Sequence, residues 1–256
     1  MSKDKKRLIS VISILDNLVV QSKNYKNYLP IGDPKIVVEN LARWGSDEIL
    51  LQCFNRSKKQ IGPDLKILKN ISNYKNATPI IYAGGIRDKN DALEVIKNGA
   101  ERIMIGYSFF KNYSFNNLKE ISDSIGRQSL ILSLPTIIKN KKLFVYDYVN
   151  SINKDFNEIN FISLKDIVSE IMITDVLNEG YYDKFNLDII DLLKIKDIQL
   201  IFFGGINSKI KIQKILKNKK SSAIGISNFL NFKEHAYQKI INKNKSNFRN
   251  SFYEKK

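Results

Sequence analysis

The second half of this chain repeats the first. IIYAGGIRD (80–88) resembles LIFFGGINS (200–208), so that Gly205 follows Gly85 by 120 residues. MIGYS (104–108) resembles AIGIS (223–227), with Gly225 placed 119 residues after Gly106. EILL (48–51) resembles EIMI (170–173), with Glu170 placed 122 residues after Glu48. Three matches in one order at nearly one spacing indicate the doubling of a four-strand unit, a period far too long for a solenoid.

Within each half, short apolar runs alternate with longer amphipathic ones, the pattern of a parallel sheet wrapped by helices. Strand-like runs fall at 8–15, 48–54, 79–84, 102–108, 129–134, 170–176, 199–205 and 222–227. Between them, DPKIVVENLARWG places Pro34 just inside a helix start. It and DKNDALEVIKNGA stop at Gly45 and Gly99, matching helix start and stop chemistry. Eight strands with intervening helices predict an α/β chain closed as one (β/α)8 barrel over 1–235, followed by a final helix and basic tail over 236–256. A length of 256 residues suits one such barrel.

Composition narrows the chemistry. The single cysteine, Cys53, excludes an internal disulfide framework, fits a reducing cytoplasm and reads as a packing residue. The single histidine, His235, follows the last strand-like run and reads as a surface residue, so a His triad or His-rich metal site is excluded; neither metal nor cofactor is expected. MSKDKKRLISVISILD superficially resembles a secretion signal, but it lacks a small-residue cleavage site and its apolar stretch ends in Asp16 and Asn17. A buried first strand is the better reading. The apolar runs are far shorter than the roughly 18 residues a membrane span needs, so no membrane insertion is expected.

The formal net charge is +16 and the isoelectric point about 9.6. Its lysines spread over helices and loops, with one concentration in KNKSNFRNSFYEKK (243–256), and no zinc-finger spacing or aromatic–basic ribonucleoprotein motif accompanies them. That distribution fits a Lys-, Asn- and Ile-rich chain with phosphate affinity rather than a nucleic-acid binder. A non-enzymatic basic protein acting through its tail stands as a separate alternative.

The working face of such a barrel is the carboxyl end of its strands. Gly84-Gly85 and Gly204-Gly205 fall there, with Gly106 and Gly225 near the end of each following strand. Glycine lets backbone N–H groups approach phosphate oxygens closely, and Ser108 and Ser227 each add a hydroxyl. Two such cradles across one mouth suit a ligand phosphorylated at both ends. The structural alternative is that these glycines only make tight strand–loop turns.

RLIS (7–10), IGDP (31–34), DEILL (47–51), AGGIRD (83–88), GRQSLIL (126–132), SEIMIT (169–174) and FGGINS (203–208) stand in order along nearly the whole chain. In these segments the sequence resembles the cyclase subunit of imidazole glycerol phosphate synthase. The resemblance implies a barrel that binds a bisphosphorylated ribonucleotide intermediate at its mouth and receives ammonia from a glutaminase subunit docked at the N-terminal face. It also implies a ring of alternating charge at the amino-terminal ends of alternate strands, gating the ammonia entrance; the matching residues are Arg7, Glu48, Arg102 and Glu170. Charges so near a barrel interior are costly unless paired, so a closed ring is the sensible arrangement, whether as a gate or as a structural seal.

The departures lie at the mouth. Ser13 and Pro135 stand where the family carries its two catalytic aspartates, and neither side chain has a suitable pKa for general acid–base work. Gln21 replaces a lysine after the first strand, and Cys53 an aspartate at the end of the second; the loop after the sixth reads VLNEGYY. No catalytic residue is retained by this reading. These changes resemble a branch whose members accompany a glutaminase and a sugar amidotransferase in making amidinated sugars for surface polysaccharides. The expectation is a cytoplasmic barrel that delivers ammonia to an acceptor reaction and whose mouth holds a phosphorylated or nucleotide-linked small molecule. An active histidine-pathway cyclase is the runner-up, and would need relocated acid–base groups, for which Asp175 and Asp16 are the candidates.

Overall fold

The eight expected strands form and close on themselves in the computed structural model, which describes residues 5–72, 78–110, 114–232, 236–244 and 247–248. In chain order the strands are β1 (Arg7–Leu15), β2 (Leu18–Lys23), β3 (Asn27–Gly32), β4 (Glu48–Gln52), β5 (Ile80–Ala83) and β6 (Arg102–Ile105). Then come β7 (Leu130–Lys139), β8 (Lys142–Asp147), β9 (Ile152–Asp155), β10 (Glu170–Asp175), β11 (Gln199–Phe203) and β12 (Ser221–Ile226). The parallel ring runs β1, β4, β5, β6, β7, β10, β11, β12 and returns to β1, where Ile9 pairs with both Glu48 and Gly225.

Side-chain alternation along each strand separates two cores. Ile9, Ile81, Ile131 and Ile201 point inside from the first, third, fifth and seventh ring strands, and Leu50, Met104, Met172 and Ala223 from the others. The opposite faces pack against the outer helices. These are α1 (Pro34–Arg43), α2 (Asn55–Lys58), α3 (Leu65–Ser72), α4 (Lys89–Lys97), α5 (Tyr107–Phe110) and α6 (Phe115–Ile125), then α7 (Phe161–Leu164), α8 (Asp188–Leu192), α9 (Lys209–Lys217), α10 (Phe229–Phe232) and α11 (Ala236–Lys243). Among the described residues no helix is long and apolar enough to cross a membrane.

The helix boundaries follow from local chemistry. Asp33 caps α1 by accepting from the N–H groups of Lys35 and Ile36, with Pro34 at the first helical position. Asp88 caps α4, and Ser208 caps α9 at the equivalent place 120 residues on. Gly45 and Gly99 follow α1 and α4 at φ 91° and 106°, where a side chain would be strained.

Two features differ from expectation. The first strand of each half continues past the ring into an antiparallel hairpin, β1–β2–β3 and β7–β8–β9. The turns are Asp16-Asn17 and Asn140-Lys141, all four at positive φ as a two-residue hairpin turn requires. The run expected as a strand to residue 108 ends at Ile105, and Ser108 lies on α5.

Past the barrel, the Tyr237 hydroxyl of α11 donates to the Gly45 carbonyl at 2.5 Å, and the Lys6 N–H to the Asn247 carbonyl at 2.9 Å. His235 and most of the basic tail lie outside the described residues.

Candidate functional site

At the amino-terminal end of the strands, Arg7, Glu48, Arg102 and Glu170 meet in one closed ring. Arg7 donates to Glu48 Oε2 at 2.8 Å and to Glu170; Arg102 donates to Glu48 Oε1 at 3.1 Å and to Glu170 Oε2 at 2.5 Å. Each acid thus bridges both guanidinium groups. The strands are the first, second, fourth and sixth of the ring, not alternate ones: Arg7 reaches across from β1, and β12 contributes the Ser222 hydroxyl, which donates to Glu170. Ser169 Oγ takes a further Arg102 hydrogen at 2.9 Å. Burial by itself would raise the Glu170 carboxyl, but Arg7 and Arg102 hold it below the usual carboxylate value. Burial likewise opposes the charge on Arg102, and Glu170 and Glu48 more than offset it.

The carboxyl end of the barrel is divided. Gly84, Gly85, Gly106 and Ser108 line a cavity of about 590 Å³ that runs from β4–β7 out to both hairpins. Gly205, Gly225 and Ser227 line a separate pocket of about 20 Å³, little more than the room for one water. Gly204 is not among the residues of either wall.

Both glycine pairs are required by the backbone itself. Gly85 and Gly205 share φ 74°, and Gly84 and Gly204 have φ 129° and 106°. A Cβ on Gly85 would meet the Ile61 carbonyl at 2.5 Å and one on Gly205 the Asn178 carbonyl at 2.7 Å. In the first cradle the Gly85 N–H already has a partner, Ser57 Oγ at 3.2 Å.

A strap covers the second cradle. Residues 176–187 leave β10 and are organised by Asp175, whose buried carboxylate accepts from Asn178 Nδ2 at 2.8 Å and the Asn186 N–H at 2.7 Å. Glu179 then ties the strap to the first hairpin, accepting from Ser22 Oγ at 2.9 Å and the Tyr25 N–H at 3.1 Å. Burial raises the carboxyls of both Asp175 and Glu179, and their hydrogen bonds only partly compensate. Asn228 Nδ2 donates to the Ser22 carbonyl at 2.5 Å and completes the tie.

Among the described residues no carboxylate lines the large cavity. Pro135 forms part of its wall, whereas Ser13, on the same face of β1 as Ile9 and Val11, lines a separate small pocket, its buried hydroxyl without a partner among the described residues. Asp175 is engaged in holding the strap, and Asp16 sits in an exposed turn paired with Lys59 at 3.0 Å. Cys53, buried and outside the barrel lumen, receives a hydrogen bond from Tyr82, and burial pushes its thiol up to about 12. Cys53 occupies in the first half the position that Asp175 holds in the second, each beneath a glycine pair.

The cavity instead gathers residues that the sequence reading passed over. Lys26, Lys58 and Lys139 stand exposed on its rim, in no ion pair among the described residues. Tyr28 stacks on Phe54 at 5.2 Å, with Tyr25 edge-on to the same ring at 5.8 Å, and Tyr107 faces Tyr148 at 6.4 Å. Their only sequence signal was hairpin alternation in NYKNY and LFVYDY, which becomes meaningful once the two hairpins are placed over one mouth.

A family model described as "Histidine biosynthesis protein" matches residues 7–234. Among curated proteins, a Vibrio vulnificus chain named hisF2 and ascribed to imidazole glycerol phosphate synthase is 24% identical over 235 residues, covering 91% of this chain and 85% of its own length. The imidazole glycerol phosphate synthase subunit HisF of Buchnera aphidicola is 27% identical over 215 residues, covering 79% and 81%. That of Staphylococcus saprophyticus is 25% identical over 243 residues, covering 92% and 94%. With a parallel barrel, a doubled architecture and a match over nearly its whole length, the chain belongs to the histidine biosynthesis protein family, alongside the HisF subunits of imidazole glycerol phosphate synthase.

Proposed function

We propose that this barrel partners a glutaminase at its amino-terminal face and passes ammonia upward to an acceptor reaction, having lost the cyclisation itself. The observation that carries this reading is the contrast between the two ends: a complete ring of four charges at the floor and a mouth cavity with no carboxylate among the described residues of its wall. Neutral ammonia crosses the apolar interior above the ring, lined by Ile9, Ile81, Ile131 and Ile201, without the desolvation cost an ammonium ion would meet. The acceptor chemistry we favour is sugar amidation for surface polysaccharide, carried out with a separate amidotransferase in the cytoplasm. The test is glutamine hydrolysis by the partner glutaminase with and without this chain. Stimulation that Arg7→Ala alters supports the reading, and absence of any complex ends it.

An active histidine-pathway cyclase is the second reading, and the family membership favours it. Against it stand Ser13, Pro135 and the engagement of Asp16 and Asp175 elsewhere. Complementation of a cyclase-deficient strain decides between them; growth would overturn the loss of acid–base chemistry.

A further inference from the structure

The doubled fold supplies two glycine cradles, but the molecule has treated them differently. Over the second, the strap carries Gly180 against the Ser22 carbonyl, where no side chain could fit. Tyr181, Tyr182 and Phe229 close around the remaining space of about 20 Å³. The Asn207 amide oxygen is buried there without a partner among the described residues. An anion the size of phosphate has no room unless the ties through Glu179 and Asn228 are broken.

The first cradle opens into a volume of about 590 Å³, within the range of small-molecule sites. Its charge is one-signed, with three lysines and no carboxylate among the described residues of its wall. Lys58 follows Ser57, whose hydroxyl caps the Gly85 N–H, so positive charge stands beside the cradle. The Ser108 hydroxyl, also in this wall, is buried with no partner among the described residues. Two aromatic groups from different elements complete the enclosure: Tyr25, Tyr28 and Phe54 in one, Tyr107 and Tyr148 in the other. Stacked rings at a wet mouth offer a flat ligand a π-face on which to lie.

We infer that the mouth is a one-sided site for a ligand with a single anionic end and a flat ring, of the nucleoside monophosphate class, whose phosphate is held at the first glycine cradle alone. The phosphate lies between the Gly84-Gly85 turn and Lys58, and the base against Tyr28 and Phe54. This rests on the delivery reading only in that such a ligand would stand at the receiving end. Binding and glutaminase stimulation are read separately, so either can fail without the other.

The test is calorimetric titration of the full chain with uridine 5′-monophosphate, ribose 5-phosphate, ribose 1,5-bisphosphate and inorganic phosphate. The nucleotide is expected to bind one to one and about tenfold or more tighter than ribose 5-phosphate, the range a stacked base supplies. The bisphosphate is expected to gain nothing over the monophosphate. Lys58→Ala and Tyr28→Ala should each weaken the nucleotide, Tyr28→Phe should retain it, and Asn207→Asp, which puts a negative charge in the second pocket, should leave it unchanged. All four variants are checked for native circular dichroism, and Tyr28→Phe guards against a folding artefact. Equal affinity for the nucleotide and ribose 5-phosphate, no binding by any probe, or a bisphosphate advantage that Asn207→Asp abolishes would each overturn the inference.

Discussion

Glu170 is held ionised against its own burial by Arg7 and Arg102, which makes the floor sensitive to acid. Its carboxyl lies lower in the folded chain than in the unfolded one. The stabilisation is therefore present above the ordinary glutamate value of about 4.3 and lost as pH falls through the depressed folded value. Glu170→Gln is expected to cost up to about 3–5 kcal/mol at neutral pH, because Arg7 and Arg102 then share Glu48 as their one carboxylate in the ring. Denaturant unfolding at pH 7 and pH 3 checks it: the gap between wild type and variant should narrow at the lower pH. Gly85→Ala is expected to destabilise by at least about 1–3 kcal/mol from positive φ alone, with the Ile61 carbonyl adding to the strain. A thermal melt within a degree of wild type would contradict it. These residues were visible in the sequence for different reasons, the ring through the resemblance and the glycines through the repeat. The lysines and tyrosines of the mouth were not, because no spacing in one chain segment announces a wall assembled from two hairpins and several strand ends.

The helices behave as their end signals dictate. Asp88 accepts from the N–H groups of Asn90 and Asp91, so Asp88→Ala should cost about 1 kcal/mol, measurable as a lower denaturant midpoint with an unchanged slope. The ring strands were legible because buried parallel strands read as continuous apolar runs. The hairpins were not, for two reasons. Their turns, Asp16-Asn17 and Asn140-Lys141, lack the glycine that usually marks such a turn. Their first strands also merge without a break into the ring strands β1 and β7, so that a single apolar run conceals a change from parallel to antiparallel pairing. At Thr136, for instance, one residue pairs with Asp175 in the ring and with Val145 in the hairpin.

For the molecule as a whole, the doubling predicts how it fails when divided. Residues 1–125 contain the ring strands β1, β4, β5 and β6, and leave the Arg7–Ser10 stretch of β1 and the outer side of β6 as unpaired edges with three of the four floor charges. Expressed alone, this half is expected to self-associate, and sedimentation showing a stable monomer would refute that. Closure was predictable from eight strands and a repeat, whereas the unequal fate of the two cradles was not, since it depends on a strap reaching over to the opposite hairpin. The one sulfhydryl, 2% exposed beneath Tyr82, gives this architecture a silent internal reporter. With no other thiol in the chain, modification by an aromatic disulfide reagent can proceed only when the outer packing around Cys53 opens. Its rate in dilute denaturant should therefore time the breathing of the first half alone, leaving the second half unseen by the same measurement.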